Sequence, residues 1–166
     1  MGLGRFLRHI LSDHWSVRYA FPRPVLEAIE SAIRAQELRH DGELRFAVES
    51  ALPFSDLVRG VSARERAIEL FSRLRIWDTE QNAGVLVYLL LADRRVEIVA
   101  DRGIHARVGE AAWEAICGAM QREFAAGRFE AGVVTGVQAI SDLLALHFSP
   151  RGENPDELSN QPIVLD

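Results

Sequence analysis

Asn82-Ala83-Gly84-Val85-Leu86-Val87-Tyr88-Leu89-Leu90-Leu91-Ala92-Asp93-Arg94-Arg95-Val96-Glu97-Ile98-Val99-Ala100-Asp101-Arg102-Gly103 is the stretch that decides the fold. Val85–Leu91 is an unbroken apolar run bounded by turn formers. That is the length and composition of a strand buried on both faces. Asp93-Arg94-Arg95 leaves room only for a tight reversal, so Val96–Ala100 must return antiparallel. The stretch therefore predicts a central strand with a hairpin partner.

Upstream, Leu44–Glu49 alternates as a second strand with Leu44, Phe46 and Val48 on one face. Ser50–Gly60 reads as a loop. Ser62-Ala63-Arg64-Glu65 is a capping box, in which serine and glutamate each satisfy the other's free amide. The helix it starts is expected to bury Ala67, Leu70, Phe71 and Leu74 and to keep Arg66, Glu69 and Arg73 outside. A strand, a helix and the central strand in that order predict a parallel crossover. Pro24 opens an earlier helix with Val25, Leu26, Ile29 and Ile33 on its inner face. Downstream, Trp113, Ile116, Cys117, Met120 and Phe124 mark a helix that Gly127 stops. A last helix carries Val133, Val137, Ile140, Leu144 and Phe148, and Gly132 and Gly136 permit a close neighbour.

The fold class is α/β: a small mixed sheet of three or four strands with a βαβ crossover and a hairpin, covered by helices on both faces. Residues 1–23 form an amphipathic segment, residues 24–149 the domain, and residues 150–166 a flexible acidic tail. In the first segment Leu3, Phe6, Leu7, Ile10, Leu11 and Trp15 make an apolar stripe, with Arg5, Arg8 and His9 off it. Such a helix either packs on its own domain or rests on anionic lipid.

All nineteen basic residues are arginine, so a P-loop lysine, a Schiff base and a lysine general base are excluded. Cys117 is the sole cysteine, which excludes an internal disulfide and a multi-cysteine zinc site. A net charge of −5 argues against a general nucleic-acid binder. No run reaches the roughly 18 consecutive apolar residues of a transmembrane segment. The start lacks a secretion-signal core, so the expected location is cytoplasmic, peripheral at the inner membrane face.

Ile76-Trp77-Asp78-Thr79-Glu80-Gln81-Asn82-Ala83-Gly84-Val85-Leu86-Val87-Tyr88, with Ala92-Asp93-Arg94-Arg95-Val96-Glu97-Ile98 after it, resembles the TPM domain family. The shared pattern is a helix ending in tryptophan, a polar Asn/Gly loop, an apolar strand, an Asp-Arg turn and a second strand. Phe129-Glu130-Ala131-Gly132 matches the family's final helix, and the likeness spans about Pro24–Phe148. The family groups a thylakoid-lumen phosphatase-like protein, a photosystem II repair protein and bacterial members. Phosphatase activity and divalent-metal binding have been attributed to members. Here the family's glycine–aromatic–glycine turn is replaced by Asp101-Arg102-Gly103, and the usual secretion signal and trailing membrane helix are not seen in this sequence.

Hairpin geometry brings the start of the first strand beside the end of the second. Asp78, Glu80, Asn82 and Asp101 would then share the end opposite the turn, where hard oxygen ligands could hold Ca²⁺ or Mg²⁺. With Arg102 binding the anion, such a metal would serve a phosphatase acting on phosphate esters. The competing reading treats these as solvated loop acids. His105 could serve as a general acid but reads first as a helix-start or surface histidine, and Cys117 reads as an inert buried thiol. Arg94-Arg95 could meet an anion but read first as solvated turn arginines. Ile163-Val164-Leu165 is either disordered or adds to a sheet edge of this chain or another. Two functions follow: a non-catalytic interaction module linked to membrane or envelope maintenance, with protein partners and room for a structural divalent metal, or a metal-dependent phosphatase.

Overall fold

The computed structural model describes residues 3–12, 14–150 and 157–165. The side chain of Trp15, from the expected apolar stripe, and tail residues 151–156 lie outside the described residues. The decisive run forms strand β2, Gly84–Leu90, and all seven of its residues are buried. It pairs in parallel with β1, Glu43–Glu49, and antiparallel with β3, Arg95–Ala100. A short strand β4, Ile163–Leu165, adds to the far edge of β1 in parallel, giving the order β3-β2-β1-β4. Of the outcomes open to the terminal run, strand addition within the chain is the one observed.

Eight helices among the described residues complete the chain: α1, Leu3–Leu11; α2, His14–Ala20; α3, Arg23–Glu37; α4, Phe54–Arg59; α5, Ala63–Arg73; α6, Arg102–Val108; α7, Glu110–Ala125; and α8, Phe129–His147. Strand alternation sorts the core into two layers. Val85, Val87 and Leu89 face α3, α7 and α8, whereas Leu86, Tyr88 and Leu90 face α5 and the tail. Helices therefore cover both faces of a mixed sheet, as the sequence predicts.

Local chemistry sets the boundaries. Pro24 opens α3 without losing a needed amide bond. The Ser62–Glu65 capping box forms at the start of α5 in both directions. Gly132 and Gly136 let α8 close on α7, since a Cβ at either would run into Phe124 or Met120. By length and composition α8 could cross a membrane, yet its apolar stripe of Val133, Val137, Ile140 and Leu144 lies in the core.

Three local expectations need correction. Ser50–Gly60 is not all loop, because α4 forms between Pro53 and a left-handed Gly60. Asp101-Arg102-Gly103 is a helix start rather than a turn, with Asp101 capping α6. Arg66 is not outside: it is buried against Glu49 of β1.

Candidate functional site

The hairpin has a closed end at Leu91–Arg94 and an open end where Asn82–Gly84 meets Ala100–Gly103. At the open end the hairpin does bring backbone together: the Asp101 amide donates to the Gly84 carbonyl at 2.9 Å. Asp78 and Asp101 nevertheless take separate local partners. Asp78 takes a 2.6 Å bond from Arg75 three residues earlier. Glu80 offers its amide to the Glu157 carboxylate. Asn82 occupies a left-handed turn position, φ 49°, which asparagine tolerates better than most residues. Asp101 uses Oδ1 to accept the Arg102 amide at 2.6 Å. Among the described residues no three His, Cys, Asp or Glu side chains are grouped to hold a metal. Arg102 is exposed at the first turn of α6, and His105 lies exposed on the same helix.

The open end is closed by small contacts instead. Thr79 Oγ1 accepts the Ala83 amide at 2.9 Å, and Gly84 lies so close to the Ile76 carbonyl that a Cβ would collide with it. His40 is buried beside Gly42, and burial pushes its imidazole down to about 4.

The closed end gathers charge. Arg5 of α1 grips Asp93 through Nε at 3.1 and 2.9 Å and through Nη2 at 2.8 Å. Its Nη2 also donates to the Val61 carbonyl at 2.8 Å. His9, also on α1, is buried; its Nδ1 accepts the Leu52 amide at 3.1 Å, which leaves the proton on Nε2. That nitrogen lies 3.0 Å from Asp93 Oδ1. Burial pushes the Asp93 carboxyl up, but the hydrogen bonds from Arg5 and His9 outweigh it and hold it below its usual range. Arg8 completes the contact by donating to the Ala92 carbonyl at 3.2 Å.

A second charged cluster lies at the same end of the sheet. Arg66 of α5 donates to both Glu49 oxygens, at 3.0 and 2.7 Å, in a bidentate fork. Tyr88 Oη donates to Glu49 Oε2 at 2.5 Å, and Glu69 takes the outer face of the guanidinium at 3.0 Å. The bond to Glu49 raises the Arg66 pKa; burial, then the neighbouring Glu49 charge, raises that of Tyr88.

These contacts turn α1 inside out. Its basic side docks on Asp93, while Leu7, Ile10 and Leu11 are 49%, 57% and 78% exposed. Phe6 reaches the Phe54 ring of α4 at 6.1 Å, and Phe54 is itself 68% exposed. On the other side Leu11 and Tyr19 enter a groove of about 840 Å³ that Leu91, Phe124 and Phe129 also line. Arg8 and Arg94 belong to the same lining. The sequence shows the stripe but not which way it faces, because the partner that turns it lies 88 residues away at the hairpin turn.

A family model described as the TPM domain matches residues 21–143. The chain is similar to the BA42 protein of the psychrophilic bacterium Bizionia argentinensis, solved by NMR. Identity is 29% and the TM-score 0.76, over 86% of this chain and 93% of that one. It is also similar to the N-terminal domain of a P. gingivalis protein, at 19% identity and a TM-score of 0.62, over 79% of this chain and 82% of that one. At that identity the likeness is of fold. No curated protein matches the chain. The matched region starts at Phe21, so α1 and β4 lie outside it.

Proposed function

This chain belongs to the TPM domain family, and from that premise we propose that it acts as a non-catalytic interaction module serving protein partners at a membrane. The observation that carries this reading is that Asp78 pairs with Arg75 and Asp101 caps α6, while no three His, Cys, Asp or Glu side chains among the described residues are grouped to hold a metal. A metal-assisted phosphatase needs its oxygen ligands within about 2.0–2.6 Å of one ion. Asp78 instead pairs with Arg75 and Asp101 holds a helix start, and the polar groups with dense mutual contacts belong to structural ion pairs. The family's phosphatase label favours the enzyme reading, and it makes the direct test worth stating.

The test is hydrolysis of a panel of soluble phosphate esters with Mg²⁺ or Ca²⁺ present. Turnover at background level is expected, unchanged in Asp101→Asn. Turnover above background that Asp101→Asn abolishes would overturn the reading. Co-purification from a detergent extract should return the same identified proteins for the wild type and for Asp78→Asn/Asp101→Asn. Recovery of no protein above an empty-resin control would contradict it.

A further inference from the structure

From the outward face of α1 we infer that this chain docks on anionic bilayer surfaces, with Leu7, Ile10 and Leu11 entering the acyl boundary and Arg8 and Arg94 meeting the headgroups. The inference rests on the interaction-module reading and names the surface that such a module uses. Three observations favour a lipid occupant. First, α1 is fixed by its polar side. Arg5 and His9 hold Asp93, so the apolar stripe cannot roll inward without breaking those bonds. An amphipathic helix held this way presents the geometry of an interfacial helix.

Second, the charge around the stripe has the right sign. Arg8 keeps a side chain 57% exposed while anchoring through Nε, with Nη2 3.9 Å from Asp93 Oδ1. Arg94 stands at a left-handed turn position, φ 53°, and no hydrogen bond or ion pair ties its guanidinium to the described residues. The nearby carboxylate, Asp93, is already neutralised by Arg5. The chain as a whole is acidic at −5, so two arginines bordering the stripe are a local departure. Arginine beside an anionic leaflet gains attraction that a neutral surface does not offer.

Third, the apolar surface continues off the helix on both sides. Phe54 and Val58, 68% and 56% exposed, extend it along α4. Tyr19, 88% exposed, extends it into the groove that holds Arg8 and Arg94. An aromatic ring with a polar tip suits the headgroup level. A protein partner would need a surface matched to the stripe with arginines at one border; a bilayer needs only the stripe and the charge.

The experiment is flotation of the full chain with phosphatidylcholine vesicles, with and without phosphatidylglycerol. Binding is expected on the anionic vesicles alone and should weaken as salt rises. Arg94→Gln should lower the apparent affinity about fivefold. Leu7→Ser/Ile10→Ser/Leu11→Ser should lower it tenfold or more, with an unchanged far-UV spectrum and melting temperature, since these positions face solvent. No flotation on anionic vesicles overturns the inference. Flotation that the serine variant retains overturns it too. A concentration-dependent dimer that the serine variant abolishes, without vesicle binding, would assign the stripe to a second copy of the chain instead. Neither result would create phosphate-ester turnover, so failure here is distinct from failure of the interaction reading.

Discussion

The two ends of one hairpin are held by different physics. At the open end, a threonine cap and a glycine packed on a carbonyl close the sheet, and most carboxylates accept backbone amides: Glu37 from Leu44, Glu43 from Leu158, Glu157 from Glu80 and Asp101 from Arg102. At the closed end, Asp93, Glu49, Arg5, His9 and Arg66 form two charged clusters that reach to α1 and α5. Acidic residues near a strand end do not by themselves mark a ligand site. What distinguishes the two ends is the partner that the carboxylates meet: arginines of distant helices at the turn, mostly backbone amides at the open end.

The contrast is sharpest in stability. Arg66→Ala should cost about 3–5 kcal/mol, because it strands the Glu49 carboxylate in the core. Urea denaturation reads this as a lower midpoint. A loss below about 1 kcal/mol would show the cluster to be far less dry than its burial indicates.

Acid should act on the two ends in different pH windows. The folded-state pKa of His40 is lowered from 6.5 to about 4, so the unfolded state binds its proton first. Its contribution is complete above 6.5 and is lost as pH falls toward 4, by up to about 3 kcal/mol. His40→Gln should flatten that part of the stability profile. Asp93, also depressed, keeps its contribution above its unfolded value of 3.8 and loses it only as pH falls through the lower folded value. Docking of α1 should therefore outlast the His40 transition. Release of α1 at pH 5 in the wild type would break the comparison.

Asp93→Asn removes the charge that Arg5 and His9 grip and should weaken α1 docking by about 2 kcal/mol. Protease should then cut within residues 3–12 first, leaving the TPM core intact. At the open end, Asp101→Ala removes only the cap of α6 and should cost about 1 kcal/mol. Adding Ca²⁺ or Mg²⁺ is the smallest expected effect: the melting temperature should not move, and a rise that Asp101→Asn removes would restore a metal to the open end.

The parts of the fold that were legible in the sequence were local. Seven apolar residues between turn formers dictate β2, and the Ser62–Glu65 pair dictates the start of α5. The Asn-Gly entry and Asp-Arg turn carry the family. What was hidden required knowing a distant partner. Arg66 sits among Glu69 and Arg73 in a pattern that reads as a solvated face, and Glu49, 17 residues away, with Asp56 beside it, draws it inward. In α1 the hydrophobic stripe implies burial by itself, until Asp93 claims the opposite side. For α4 a usable signal existed: Pro53 before and Gly60 after are a helix start and stop at short range. At the candidate site, the hairpin register correctly predicts that the 82 and 101 segments are neighbours. It does not say where each carboxylate points.

Amide hydrogen exchange of the full chain, with and without phosphatidylglycerol-containing vesicles, compares both ends in one measurement. Added protection across α1 and α4, with residues 76–82 and α6 unchanged, is the predicted result. Protection gained at the open end, or none at α1, would contradict the assignment of function to the closed end.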